Sequence, residues 1–141
     1  MRVGIGLLFA IVLAGCEERN EVILPGTPTA AVIVDLHPGQ TFRPPGAPFT
    51  ARFDSVTSDS RCPLGVQCIW AGDGATGLSL VWDVGPASAC TLHTTLAPKI
   101  ITAGGYYIQL IELDPYPRYG YPTNPAAYIA VLQSGPIGYI D

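Results

Sequence analysis

The chain has 141 residues, of which 48% are hydrophobic and only 13% are charged, and it contains 16 Gly and 14 Pro. Average soluble domains have about 25% charged residues and about 12% Gly plus Pro, so this composition predicts many turns and few long helices. The net charge is −4 and Lys99 is the single lysine. The concentrated positive face that nucleic-acid binding requires is therefore excluded.

The N-terminus predicts a bacterial lipoprotein signal peptide over residues 1–15. Arg2 precedes an apolar run over residues 3–14. That run is shorter than the roughly 20 residues of a membrane-spanning helix but is typical of a secretory signal. Residues 13–16, Leu-Ala-Gly-Cys, resemble a lipobox, whose cysteine receives a diacylglycerol and becomes the new N-terminus. We therefore predict lipidation at Cys16; an ordinary signal with a coincidental cysteine is the alternative.

The mature chain is predicted to begin with a tether. Residues 17–29 are charged and then Pro-containing, without a sustained period, and fully extended they span at most about 45 Å. The predicted organisation is a signal peptide at 1–15, the lipidated cysteine and tether at 16–29, and one domain at 30–141. Glu17 directly after the lipidated cysteine fits export to the outer membrane if the cell has two membranes. The predicted partner at this end is the membrane itself, through the lipid, and the predicted location is the cell envelope.

Short alternating or β-branched runs, separated by Pro and Gly clusters, follow the tether. Seven runs are predicted as strands: 30–36, 49–53, 66–71, 78–84, 91–96, 106–113 and 127–133. Their number and spacing favour an all-β fold, a single antiparallel β-sandwich of about seven strands. An immunoglobulin-like arrangement is one form of it, and a small barrel is the alternative. Parallel α/β folds are disfavoured because no connection is long enough for helical crossovers.

One hairpin is predicted in more detail. Asp73 and Gly74 form the Asp-Gly pair favoured in two-residue hairpin turns. A turn at this pair places Trp70 opposite Gly77, where the ring would cover backbone that glycine leaves bare.

The cysteines predict one disulfide. With Cys16 lipidated, Cys62, Cys68 and Cys90 remain. In an oxidising compartment Cys62 and Cys68 are natural partners, separated by five residues that include Pro63. Closing this short loop stabilises the fold by about 2.4 kcal/mol in the chain-entropy treatment. Cys90 is then a buried free thiol, and the competing pairings are Cys62–Cys90 and Cys68–Cys90.

Residues 59–72 read Asp-Ser-Arg-Cys-Pro-Leu-Gly-Val-Gln-Cys-Ile-Trp-Ala-Gly. They resemble a family of small secreted or lipid-anchored bacterial β-proteins with the pattern Asp-Ser-Arg-Cys-Pro-x-x-Val-x-Cys-x-Trp-x-Gly, and a weaker likeness continues through 110–115 and 128–132. The resemblance implies an extracytoplasmic β-protein and implies no reaction. Four positions of the motif are interpreted as structural: Asp59, Pro63, Trp70 and Gly72.

The motif admits a functional and a structural interpretation. Arg61 could present its charge to a ligand, or it could pair with a nearby carboxylate inside a stapled turn, which is the simpler interpretation. Redox cycling of Cys62 and Cys68 is disfavoured because catalytic pairs usually have two intervening residues at a helix start. Trp70 follows Cys68 by two residues, so it shares a strand face with it and is predicted to pack on the disulfide in the core.

The segment over residues 114–125 combines prolines with three of the seven tyrosines and is too Pro-rich for a central strand. The simpler interpretation is a long connection whose rings fold back over the end of the sandwich. The functional interpretation is a stiff aromatic surface that binds proteins or sugars, because tyrosine provides contact area at little entropic cost. The candidate binding residues are therefore Arg61, Tyr116, Arg118, Tyr119 and Tyr121.

Catalysis and metal binding find little support. His37 and His93 are the only histidines, no Gly-x-Ser-x-Gly motif is present, and we expect both imidazoles on exposed polar strand faces. The histidines and cysteines lack the spacing of zinc ligands. No metal, cofactor or catalytic residue is predicted.

The predicted function is a non-catalytic binding module, held on the envelope, for an unidentified envelope protein or glycan. An inhibitor of secreted enzymes is the second hypothesis, since the loop between Cys62 and Cys68 would be rigid and exposed. A periplasmic hydrolase is the third, and it requires His37 or His93 in a pocket with acidic partners.

Overall fold

The computed structural model describes residues 30–139, and these residues form a β-sandwich. The strands are β1 (Val32–Leu36), β2 (Thr41–Phe42), β3 (Phe49–Asp59), β4 (Gly74–Trp82), β5 (Ser88–His93), β6 (Ile100–Ala103), β7 (Tyr106–Asp114) and β8 (Ile129–Pro136). Short 3₁₀ helices occupy Pro125–Ala127 and Ile137–Tyr139. The predicted signal peptide, the lipidation site Cys16 and the predicted tether lie outside the described residues.

The strands form two antiparallel sheets of four strands each. Sheet 1 has the order β1-β8-β7-β6 and sheet 2 has the order β2-β3-β4-β5. Every pair within each sheet is antiparallel. The predicted all-β sandwich is confirmed. Sheet 2 is a simple meander, so its strand order differs from the immunoglobulin arrangement, in which the chain passes between sheets through Greek-key connections.

Alternation along the strands builds the core. In β3, Phe49, Ala51 and Phe53 are buried, and Thr50 and Arg52 between them are not. Since successive side chains of a strand point to opposite faces, the buried set of each sheet faces the other sheet. The main members of the core are Phe49, Phe53, Leu78, Leu80, Leu92, Ile108, Leu110, Leu113, Ala130 and Leu132. Six of the seven predicted strands coincide with observed ones, and β2 and β6 were not predicted.

The hairpin between β3 and β4 differs from the prediction. Residues 66–71 are not a strand, and Gly77 pairs with Ser55 instead of facing Trp70. The two arms continue past the strands through hydrogen bonds from Ser60 N to the carbonyl of Asp73 and from Cys62 N to that of Ala71. The Asp-Gly pair therefore lies inside an arm of the hairpin. The chain reverses within the disulfide loop, because the strand partner of Gly74 is Asp59, fifteen positions earlier.

Three long connections lie together at one end of the sandwich. They cover residues 60–73 between β3 and β4, 94–99 between β5 and β6, and 115–128 between β7 and β8. We call this end the loop end.

The chain enters the sandwich at the opposite end. Val32, the first residue of β1, pairs with Ser134 near the end of β8, whereas Leu36 at the far end of β1 pairs with Ala130 near the start of β8. Because β8 starts at the loop end, residues 30–32 lie one strand length away from it, roughly 20 Å at 3.3 Å per residue.

Candidate functional site

The loop end is built on the Cys62–Cys68 disulfide, which the structure confirms. The two Cα atoms lie 5.9 Å apart. The two cysteines are six positions apart in sequence, with five residues between them, so the bridge constrains only the tip of the hairpin. The residues of this tip, 64–71, are all exposed. The disulfide therefore fixes the conformation of an exposed loop and is not part of the core.

Cys90 is a free thiol on β5, as predicted, and it is only partly buried. It pairs across the sheet with Leu78 and packs against the core. Burial, with a smaller contribution from the charge of Asp54, raises the pKa of the Cys90 thiol to about 11. Such a thiol is nearly always protonated at neutral pH and is a poor nucleophile.

Arg61 is the second residue of the first loop-end connection, and its side chain is buried at the base of that connection, with only 6% exposed. Its guanidinium donates from Nε to Asp59 Oδ1 at 2.8 Å and from a terminal nitrogen to Asp59 Oδ2 at 2.7 Å. Tyr128 donates to the same carboxylate at 2.9 Å. Burial would raise the pKa of Asp59, but the hydrogen bonds from Arg61 and Tyr128 outweigh it and hold that pKa below its ordinary value. Arg61 thus pairs with a nearby carboxylate, and its guanidinium is occupied within the domain.

The same guanidinium joins the two sheets. Arg61 follows β3 of sheet 2, and it donates to the carbonyls of Leu113 and Pro115 at the end of β7 in sheet 1. It also lies 4.8 Å from the ring centroid of Tyr116, within cation–π distance. The side chain of Arg61 thus fixes the loop end through several hydrogen bonds that involve both sheets.

His93 and Asp73 form a second, partly buried contact, which the sequence did not predict. His93 Nδ1 lies 2.6 Å from Asp73 Oδ2, and Asp73 Oδ1 accepts from the backbone N–H groups of Thr95 and Leu96. Burial would raise the pKa of Asp73, and these hydrogen bonds lower it below its ordinary value. The expectation of an exposed His93 is wrong, because the hairpin arm brings Asp73 beside β5. His37 is exposed, as expected.

Within residues 30–139 this pair is an acid–histidine dyad with no serine or cysteine hydrogen-bonded to the imidazole. Among the described residues, the hydrogen bonds of the His93 side chain comprise only the one to Asp73. The hydroxyl of Ser60 is bound to the backbone of Asp73 instead. The arrangement orients the loop that follows β5 and lacks the third group of a hydrolytic triad.

The position of Trp70 differs more from its prediction than that of any other motif residue. The ring is 81% exposed and its neighbour Ile69 is 91% exposed, so Trp70 does not lie in the core. The prediction failed because it assumed a strand over 66–71 paired across a tight turn. Since the chain reverses within the disulfide loop, the residues after Cys68 are carried beyond the sheet and into solvent.

Backbone hydrogen bonds join the disulfide loop to the Tyr-containing segment. Leu64 N donates to the carbonyl of Pro117 at 2.8 Å, and Tyr119 N donates to the carbonyl of Leu64 at 3.1 Å. Leu64 and Arg118 therefore form an isolated parallel bridge. Two regions that are more than 50 residues apart in sequence thus present one continuous surface.

A tight turn displays the predicted tyrosines. Tyr121 N donates to the carbonyl of Arg118 at 3.1 Å, and Gly120 has a φ of 78°, as the third position of a type II turn requires. Tyr119 and Tyr121 are exposed by 69% and 76%, and Tyr116 is exposed to a smaller extent. Of the tyrosines between the last two strands, only Tyr128 folds back into the core.

Three shallow depressions cover this surface. One of about 220 Å³ lies along the Tyr-containing segment, one of about 260 Å³ lies between Arg61 and Thr95, and one of about 310 Å³ lies between Trp70 and Leu96. Small-molecule sites usually measure about 300–1,000 Å³ and enclose most of their ligand. Openings of this size suit single side chains or sugar units of a larger partner.

The apolar members of this surface could not be identified from the pattern alone. Besides the predicted tyrosines, the exposed large apolar side chains of the loop end are Leu64, Val66, Ile69, Trp70 and Leu96. Val66, Ile69 and Trp70 belong to the run 66–71, which the pattern predicts as a strand, and Leu96 ends the run 91–96.

Residues 30–139 contain no group of three or more His, Cys, Asp or Glu side chains that could hold a metal ion. In the same range no helix has the length and apolar character needed to cross a membrane. No protein-family model, curated protein sequence or solved structure matches this chain.

Proposed function

We propose that this protein is a lipid-anchored cell-envelope protein that acts without catalysis, by binding a partner through the loop end. The observation that carries the proposal is the group of exposed apolar and aromatic side chains on two loops locked together by backbone hydrogen bonds. Exposed apolar groups that are gathered in one place commonly mark interaction sites, whereas isolated ones need no explanation.

Rigidity supports a binding role for this surface. The disulfide, the ion pair of Arg61 with Asp59 and the bridge from Leu64 to Arg118 order the loops before any partner arrives. Preordered side chains lose less entropy on binding, so more of the contact energy appears as affinity.

The residue types favour a protein partner over a glycan. Trp, Tyr and Arg are the types that most often dominate the energetics of protein interfaces. Ile69 and Leu96 add aliphatic surface, which suits apolar side chains of a protein better than the hydroxyl groups of a sugar.

The position at which the predicted tether joins the domain is consistent with this role. The predicted tether joins the domain at residue 30, at the end opposite the loop end. A domain anchored through Cys16 would therefore carry its binding surface on the side away from its attachment point.

An enzyme inhibitor is the second candidate, favoured by one observation. Leu64 is exposed on the disulfide-closed loop while both its N–H and its carbonyl are hydrogen-bonded to the neighbouring segment. A loop held in this way resists distortion when an enzyme binds it. Inhibition of purified secreted proteases that is lost with Leu64→Asp would favour this function.

Site-specific photo-cross-linking in cells that make the protein naturally tests the main proposal. A photoreactive phenylalanine analogue replaces Ile69 or Tyr121 in the full-length chain, and Val84 serves as the control. Val84 is equally apolar and 92% exposed but lies in the connection from β4 to β5, at the other end of the sandwich. We expect a discrete adduct from positions 69 and 121, and no such adduct from position 84.

A second substitution makes the test specific. Trp70→Ser in the chain that carries the photoreactive group at position 121 should abolish the adduct while leaving the amount of protein unchanged. Identical adducts from all three positions, or no adduct from either loop position, would contradict the proposal.

A further inference from the structure

The depression along the Tyr-containing segment has a distinct chemistry. It measures about 220 Å³, and its walls include the side chains of Tyr116, Arg118, Tyr121 and Asn124. Arg118 and Tyr121 are the first and last residues of the type II turn, and the backbone of Arg118 is bridged to Leu64. The turn therefore places a cation on a fixed backbone at a depression that two tyrosines also line.

Arg118 has no ionic partner among the described residues. Five cationic side chains lie in residues 30–139. Three of them, Arg43, Arg52 and Arg61, form salt bridges with Asp83, Asp54 and Asp59. Arg118 and Lys99 form none, although Glu112 and Asp114 lie only a few residues before Arg118 in sequence. The guanidinium of Arg118 is therefore available to a ligand with all of its donors.

The other polar groups of the depression are also donors. The side-chain oxygen of Asn124 accepts from Ala126 N at 3.0 Å, which leaves its amide hydrogens available. The hydroxyl groups of Tyr116 and Tyr121 have no hydrogen-bond partner within the described residues, so both can donate. A cation with several donors around it matches a carboxylate, which accepts on both oxygens and binds guanidinium groups in a bidentate manner.

We propose that this depression binds a carboxylate of the protein partner, with Arg118 as the counter-ion and the rings of Tyr116 and Tyr121 against the adjoining apolar group. The carboxylate belongs to a C-terminus or to an Asp or Glu side chain beside a bulky apolar residue. The proposal rests on the proposed function and specifies the ligand chemistry of the same surface.

The charge at the depression fits one carboxylate better than a phosphate. Arg118 is the single uncompensated cation among its walls, and the nearest other guanidinium, Arg61, is neutralised by Asp59. A phosphate dianion would leave one negative charge without a partner at this site.

Nuclear magnetic resonance titration of the mature full chain in detergent tests the proposal. Three dipeptides differ in the presence and position of a carboxylate: N-acetyl-glycyl-phenylalanine has a terminal carboxylate, N-acetyl-glutamyl-phenylalaninamide has a side-chain carboxylate, and N-acetyl-glycyl-phenylalaninamide is neutral. We expect the amide signals of Arg118, Tyr119 and Tyr121 to shift with at least one acidic peptide at a Kd near 1 mM, and the neutral peptide to bind about 10-fold more weakly.

Two variants separate the specific site from general charge. Arg118→Gln should weaken the acidic peptides about 10-fold and bring them level with the neutral one. Lys99→Gln removes the other unpaired cation, which is not among the walls of the depression, and should leave all three affinities unchanged.

Three outcomes would overturn the inference. The first is equal binding of the acidic and neutral peptides, or binding of none of them. The second is an equal loss of binding in the Lys99→Gln variant. The third is tighter binding of glucuronate or inorganic phosphate than of either acidic peptide at the same amide signals, which would assign the site to another ligand. If the photo-cross-linked adduct depends on Trp70 but survives in Arg118→Gln, the proposed function stands and this inference alone fails.

Discussion

Asp59 and Arg61, two residues apart in the chain, form a bidentate ion pair in which both side chains are less than 10% exposed. Arg61 also donates to the carbonyls of Leu113 and Pro115, and Asp59 accepts from the hydroxyl of Tyr128. A contact that is local in sequence thereby connects sheet 2 to both ends of a connection in sheet 1. The loop end keeps its shape because this buried pair holds its base.

The first prediction concerns this pair. Arg61→Met leaves the Asp59 carboxylate buried without its counter-ion and two carbonyls without donors, so we expect a loss of about 3–5 kcal/mol of unfolding free energy. Urea denaturation with the disulfide intact measures it. Arg43→Met is the control, because Arg43 pairs with Asp83 at the exposed surface and its removal should change little. Similar effects of the two substitutions would show that the buried pair has no special role.

The second prediction concerns pH. The folded-state pKa values of Asp59 and Asp73 are lower than the ordinary aspartate value of about 3.9. Their contribution to stability is complete above that value and is lost as the pH falls through the lower pKa of the folded state. We expect the urea midpoint of the wild type to fall steeply below about pH 4. Asp59→Asn should be less stable at pH 7 and show a shallower acid slope; an unchanged slope would refute the assignment.

The third prediction concerns Gly72. Its φ is 72°, and a Cβ atom there would lie only 1.8 Å from the carbonyl oxygen of Ser60, across the hairpin. Gly72→Ala should therefore prevent closure of the arm and cost several kcal/mol, well beyond the roughly 1–2 kcal/mol of a left-handed alanine. Gly65→Ala is the matched control, since Gly65 also has a positive φ but open space around it. Thermal melts of both variants should differ by many degrees, and equal melts would contradict the close approach.

The fourth prediction concerns Trp70. Because its ring is exposed, Trp70→Ser should leave the melting temperature nearly unchanged while it abolishes the cross-linked adduct. Phe53→Ala, at a fully buried position, should cost about 3–5 kcal/mol through lost burial and a cavity. If the Trp70 variant melted as early as the Phe53 variant, Trp70 would have to lie in the core, as the sequence suggested.

The fifth prediction concerns the anchor. Labelled palmitate should enter the wild-type precursor when it is produced in bacteria, and Cys16→Ser should abolish the labelling and release the protein from the membrane. Cys90→Ser is the control and should remain labelled, because the Cys90 thiol is not part of the signal. Labelling that persists without Cys16 would refute the lipoprotein prediction.

Local patterns were sufficient for the fold class. The period of two in residues such as Phe49, Ala51 and Phe53, with Gly and Pro between the runs, predicted an all-β sandwich because alternation and turn chemistry act over a few residues. The disulfide between Cys62 and Cys68 was predictable for the same reason, since a short separation keeps the two thiols close. Arg61 pairing with a nearby carboxylate was equally local.

Tertiary packing decided which side chains the loop end exposes. An apolar run such as 66–71 is compatible with a strand, and only the register of β3 against β4 moves the reversal into the disulfide loop and carries Trp70 into solvent. The contact of Leu64 with Tyr119 joins residues 55 positions apart and depends on how the two sheets stack. The contact of His93 with Asp73 joins residues 20 positions apart and depends on the register of β4 against β5. No local pattern encodes such distances. The sequence by itself therefore determined the fold class and the disulfide, whereas strand register and the packing of the two sheets determined which side chains the loop end exposes.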